Sequence, residues 1–307
     1  VRGWTLRSAD SRRIDQEAGI VEDAEFFGSG AERLFGLRYL PASGSPLAGV
    51  VMCGPILAQF RAHYRNGTLV ARALAARGVA VQRFHYRGMG NSDGDVSNLD
   101  LSSMHEDAAA AGARLTEMIG SVPIAYFGVN VGAYPAAVAS RPGQMLVLDS
   151  PPPNGRHYFR NAVRAHAVYA MQRENKENLT TEDLLEQLRG GSRDVALLGC
   201  RLSLGLYETM VATSLVEEVG DSSRPILMIG LGEEGSLRPE GERMRSELVE
   251  RGFPVEVAVR DKVDPFWYVE NSAPEDQPEI AVTAERITDW VQRQISEVPS
   301  GRTGDSA

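Results

Sequence analysis

A chain of 307 residues with 43% hydrophobic and 24% charged side chains can bury one large core and carry an insertion on it. A formal net charge of -9 argues against a nucleic-acid or anionic-membrane surface, because engaging phosphates requires basic patches. Small neutral or cationic substrates, or acyl groups held on a carrier protein, suit this balance better. The two cysteines, Cys53 and Cys200, form no C-x-x-C and read as free buried thiols in a reducing cytoplasm, with no disulfide, metal or cofactor role. The stretch from Val1 to Asp15 has arginines but no apolar signal region, and no segment approaches the roughly 20 apolar residues of a membrane span. The expectation is a cytoplasmic protein with no membrane contact, and the abundance of Ala, Gly and Arg points to a GC-rich bacterium.

In chain order, Ala24 to Gly28 and Leu34 to Leu40 are short strand-like runs about a Gly-Ser-Gly turn, predicting a hairpin. Gly49 to Cys53 predicts a buried strand, Thr68 to Arg77 a helix closed by Gly78, and Val79 to Phe84 the next strand of a βαβ crossover. Leu99 to Ile119 is helical in pattern, Ile124 to Phe127 a strand, Val131 to Ser140 a helix, and Met145 to Asp149 a strand. This alternation predicts an α/β fold whose mostly parallel central sheet is covered by helices on both faces. From Asn154 it stops and a helical pattern takes over, with Thr180 as a helix cap, so residues 154–222 read as a helical cap between core segments 1–153 and 223–295. The sheet resumes at Ile226 to Gly230, passes through a helix from Pro239 to Arg251 and a strand from Val255 to Val259, and closes with a helix from Ala281 to Ile295. Residues 296–307 are small and polar and read as a disordered tail.

The segment Gly128-Val129-Asn130-Val131-Gly132 follows a strand and opens a helix, and it resembles the G-x-S-x-G elbow of an α/β-hydrolase with asparagine in place of the nucleophilic serine. The run from Phe84 to Gly94, F-H-Y-R-G-M-G-N-S-D-G, is similar to the F-D-Y-R-G-x-G-x-S-x-G stretch of many serine hydrolases on this fold. Stretches at Gly54 to Leu57, Asn154 to Phe159 and Asp264 to Trp267 look closest to divergent, exosortase-system-associated hydrolase-like proteins, which often depart from serine at the elbow. The resemblance implies the α/β-hydrolase fold over nearly the whole chain, and a triad in the order serine, acid, histidine. The acid position is offered by Glu233 or Glu234, but no histidine occurs after His166. Nucleophile and general base are therefore both missing, and each depends on the other for activation.

Backbone donors of an oxyanion hole survive such losses, and the resemblance puts them at Val131 and at Ile56 or Leu57. Asn130 is either a polar site contact or present because the elbow needs a positive φ, which asparagine tolerates. His85, standing where the resembling run has aspartate, is either a base or the anchor of a loop. His157, where the chain leaves the sheet for the cap, is a candidate acid or base overhanging the pocket. Asp264 falls near the absent histidine and is either a carboxylate base or the opener of an Asp-Pro turn. Arg65 is a candidate grip for a carboxylate or phosphate, and Trp267 a candidate apolar wall. The reading that fits best is a non-hydrolytic enzyme eliminating, cyclising or isomerising a carbonyl compound in bacterial specialised metabolism. Two alternatives stay open: a catalytically silent protein that binds a ligand or partner, and an atypical esterase or thioesterase using directly activated water. The partner expected is a small-molecule or carrier-bound acyl substrate, with a homodimer as a further alternative.

Overall fold

The computed structural model describes residues 12–28, 32–172, 180–190, 194–220, 224–261 and 278–297. Strands β1 (Arg13–Asp15), β2 (Ile20–Phe27) and β3 (Leu34–Pro41) form an antiparallel edge, the β2–β3 hairpin having been legible and β1 not. Three residues are too short to show a period, and β1 is tied down from outside: Arg72 pairs with Asp15 and with Glu22 on β2.

The parallel core follows as β4 (Ala48–Cys53), helix α1 (Leu57–Ala76), β5 (Val79–Phe84), α2 (Leu101–Ile119), β6 (Ile124–Val129), α3 (Ala133–Ala139) and β7 (Met145–Asp149). Every residue of β4, β5 and β6 is buried, as strands covered on both faces require. Successive residues of these strands face opposite layers. Val50, Met52, Met145 and Val147 pack into the layer holding α1, whereas Val51, Cys53, Leu146 and Leu148 pack into the layer holding α2 and α3. Helix α1 begins about three turns earlier than its sequence pattern suggests. Asn66 and Gly67 lie buried within the helix, where a Cβ on Gly67 would stand 2.7 Å from His63 Nε2.

Between β7 and β10 (Ile226–Glu233) the chain inserts α4 (Gly155–Gln172), α5 (Thr181–Arg189), a ribbon of β8 (Asp194–Leu197) with β9 (Cys200–Ser203), α6 (Leu204–Ala212) and α7 (Leu215–Glu218). Thr180 caps α5 in a reciprocal capping box with Asp183. The ribbon has no counterpart in the helical pattern of the sequence, since two four-residue strands leave little periodicity to detect. Beyond it lie β11 (Ser236–Leu237), α8 (Pro239–Glu250), β12 (Val255–Asp261) and α9 (Pro278–Glu297), which covers the sheet beside α1 through Ile287, Trp290 and Val291. The sheet order is β1-β2-β3-β5-β4-β6-β7-β10-β12, with β11 folded back on the tip of β10. From β5 to β12 all neighbours along that order run parallel. Cys53 is buried, whereas Cys200, expected to be buried, is half-buried at the first position of β9, whose last two residues, Leu202 and Ser203, are buried. Among the described residues no helix is long and apolar enough to cross a membrane.

Candidate active site

The elbow is built by close approach. A Cβ on Gly128 would lie 2.4 Å from Ala133 Cα, and one on Gly132 would lie 2.1 Å from the Cys53 carbonyl oxygen, so neither position accepts a side chain without moving backbone. Between them Asn130 takes φ 54, the left-handed conformation that lifts its side chain above the C-terminal edge of β6. The residue is 7% exposed. Its Oδ1 accepts from the Val131 N–H at 2.9 Å, and its Nδ2 approaches the Ser150 carbonyl oxygen at 3.4 Å. This pattern fixes the amide orientation, because only the oxygen can accept from a backbone N–H.

Asn130 opens onto a cleft of about 320 Å³ at the carboxyl ends of β6, β7 and β10, roofed by α4. Clefts at this end of a parallel sheet are the usual ligand sites of open α/β folds. Leu57, at the start of α1, also lines it, as do Ser150 at the end of β7, Leu198 in the ribbon turn, and His157 on α4. Leu57, Asn130, Ser150 and Leu198 have φ of 55, 54, 46 and 53, and they are four of the five non-glycine residues with positive φ among those described. Such conformations persist where the surroundings impose them, and here they gather on one cleft. The first turn of α1, Leu57 to Gln59, contributes to the wall. First-turn N–H groups have no partner within a helix, so the cleft sits at the positive end of a 20-residue helix.

His157 stands in the first turn of α4, its backbone N–H donating to Asn154 Oδ1 at 2.8 Å. Its Nε2 is 3.2 Å from the Asn161 amide nitrogen. An amide nitrogen only donates, so Nε2 accepts and the ring proton stands on Nδ1. The structure thus brings Asn130, Leu57 and His157 to one cleft.

Other predicted residues stand elsewhere. Val131 is buried beneath the cleft with its N–H taken by Asn130, and Ile56 is buried with its carbonyl oxygen 3.4 Å from the Tyr158 hydroxyl. His85 faces a separate cavity of about 20 Å³ among Phe35, Phe60 and Tyr64. There Nδ1 accepts from the Asn91 N–H at 3.0 Å and the His85 carbonyl oxygen accepts from Ser92 Oγ at 2.6 Å, the loop-anchoring arrangement. Burial, with Arg83 nearby, lowers its pKa to about 4. Glu233 is exposed at the β10–β11 hairpin, outside the cleft lining, and Arg65 is exposed on α1, likewise outside it. Asp264 and Trp267 lie outside the described residues.

Beneath the cleft, at the ends of β7 and β12, Asp149 and Arg260 form a fully buried ion pair. Burial pushes the Asp149 carboxyl above the usual carboxylate range, against the pull of Arg260 and Ser150. Ser150 Oγ is 3.0 Å from Asp149 Oδ1. Neither Ser150 nor this pair is among the residues singled out from sequence. The available signal was position alone: Asp149-Ser150-Pro151 ends a parallel strand next to the elbow strand. Among the described residues no group of three or more His, Cys, Asp or Glu side chains is placed to hold a metal ion.

No protein-family model and no curated protein matches the chain by sequence. Solved structures match it over most of its length. Est1E from Butyrivibrio proteoclasticus with ferulic acid bound has a TM-score of 0.63 at 13% identity, covering 89% of this chain and 100% of that one. An esterase from Pyrococcus furiosus has 0.58 at 16%, covering 96% and 95%. A thermostable carboxyl esterase from Bacillus coagulans in complex with glycerol has 0.57 at 16%, covering 89% and 99%. With the strand order and the elbow geometry, these likenesses establish that the chain has the α/β-hydrolase fold.

Proposed function

We propose that the chain is a non-hydrolytic enzyme that eliminates, cyclises or isomerises a small or carrier-bound carbonyl compound in its cleft, in bacterial specialised metabolism. The observation that carries this reading is the gathering of strained residues, Asn130 and His157 on one roofed cleft, in a chain with no serine at the elbow and no histidine after His166. Acyl-enzyme chemistry needs a nucleophile and a base to activate it, and an amide nitrogen is neither. Proton transfer beside a carbonyl needs a donor to hold the developing enolate and a group to carry the proton. Asn130 Nδ2 and the positive end of α1 supply the first. His157 supplies the second, its Nε2 lone pair passing from the Asn161 amide to the substrate proton when the substrate binds. In an elimination, His157 takes the proton from the carbon next to the carbonyl and the leaving group departs from the following carbon with its bonding electrons.

The test is turnover of a panel of acyl thioesters and esters by wild type, Asn130→Ala and His157→Ala. Removing a positioned acid or base costs about 10²–10⁴ in rate, so His157→Ala is expected to lose at least a hundredfold in kcat with ligand affinity retained. Unchanged kcat would overturn the assignment. A second reading, a ligand-binding protein without turnover, is favoured by one observation: Asn130 Oδ1 already occupies the Val131 N–H, the donor that an oxyanion would otherwise take. Saturable binding with no product in any variant would select it.

A further inference from the structure

The chemistry above leaves Ser150 unused, yet it holds φ 46 at the floor of the cleft beside Asn130. A serine there costs roughly 1–2 kcal/mol relative to ordinary backbone. Its hydrogen-bonding capacity is almost wholly committed. The Ser150 N–H donates to the Ile229 carbonyl oxygen at 2.8 Å, and its own carbonyl oxygen is the one Asn130 Nδ2 approaches. Its hydroxyl lies 3.0 Å from Asp149 Oδ1, while Asp149 Oδ2 pairs with Arg260. A carboxylate in an ion pair has no hydrogen to give, so the hydroxyl donates to Asp149 and only its lone pairs remain for the cleft. Asn130 is the complement. Its oxygen is held by Val131 and one amide hydrogen by Ser150, which leaves one amide hydrogen to donate.

The floor therefore offers one donor and one acceptor on touching residues. We propose that Ser150 Oγ is a fixed hydrogen-bond acceptor that selects hydroxyacyl ligands, the ligand hydroxyl bonding Ser150 while its carbonyl oxygen takes Asn130 Nδ2. A neutral hydroxyl fits better than an ammonium, because Arg260 already neutralises the one carboxylate beneath Ser150. This assignment rests on the reading of the cleft as a site for carbonyl compounds and adds the substrate class.

The experiment compares two probes, the β-hydroxybutyryl and butyryl thioesters of N-acetylcysteamine, by Kd, or by KM where a probe is turned over. Wild type is set beside Ser150→Ala and Ser150→Gly. The glycine variant removes the hydroxyl while accepting the positive φ, so it serves if the alanine variant fails to fold. A net hydrogen bond worth about 1 kcal/mol corresponds to roughly fivefold in affinity. The expected result is a preference of that size for the hydroxylated probe in wild type, falling to about one in the variants, with butyryl binding retained. A preference that survives in the variants, or is absent from wild type, overturns the role of Ser150 and leaves the cleft reading standing. Failure of wild type to bind either probe overturns the cleft reading itself, and this inference with it.

Discussion

Asn130 keeps the geometry of a nucleophile position and turns its side-chain oxygen onto the amide of the next residue. Serine at this position would have the turn but no histidine bonded to it, because Asn130 bonds Val131 and Ser150 while His157 is held by Asn161, so Asn130→Ser is expected to remain unlabelled by a fluorophosphonate probe. Stoichiometric labelling would show that a neighbouring group activates it. Asn130→Ala loses the acceptor for Val131 N–H and places alanine at φ 54. The expected cost is about 1–2 kcal/mol in urea denaturation, with Asn130→Gly costing less because it relaxes the backbone. The elbow was legible because its glycines and its place after a strand are properties of a short segment. Ser150 was not, because a single serine before prolines carries no pattern. Its meaning comes from Asp149 and from Arg260, which stands 111 residues from Asp149 in the chain.

At the level of elements, β4, β6 and β7 were readable in sequence as near-continuous apolar runs because both of their faces are buried, whereas β1 and the β8–β9 ribbon are too short to show a period. Helix α1 was read from Thr68 only, and its early start is what brings Leu57 to Gln59 to the cleft. The ends of β7 and β12 are joined by the buried Asp149–Arg260 pair. Removing one partner leaves an uncompensated buried charge, so Asp149→Ala is expected to lose about 3–5 kcal/mol of stability. The double variant Asp149→Leu/Arg260→Met should recover much of that loss, and equal losses in both would contradict the pairing argument. Gly132→Ala should yield no soluble protein, since its Cβ would meet two carbonyl oxygens of the chain at Cys53 and Gly54.

For the molecule as a whole, the cleft beneath α4 and the buried histidines His63 and His85 set behaviour that no single element shows. Burial, with Arg83 as a like charge, lowers His63 to about 3 and His85 to about 4 from 6.5. Both are neutral when folded and take up protons near pH 6.5 when unfolded, so their contribution is full above 6.5 and is lost as pH falls toward 4. For His85 that contribution is on the order of 3 kcal/mol. Wild type is therefore expected to lose more stability between pH 6.5 and 4 than His85→Gln, measured by urea midpoints, and equal slopes would contradict this. The cleft is expected to act on carbonyl compounds without an acyl-enzyme. Mass spectrometry of products from wild type incubated with the thioester panel tests it most directly. The expected products are isomeric with the substrate or short of a leaving group, with the thioester intact. Release of free acid and thiol at a rate that falls in Asn130→Ala, or saturable binding with no product, would contradict it.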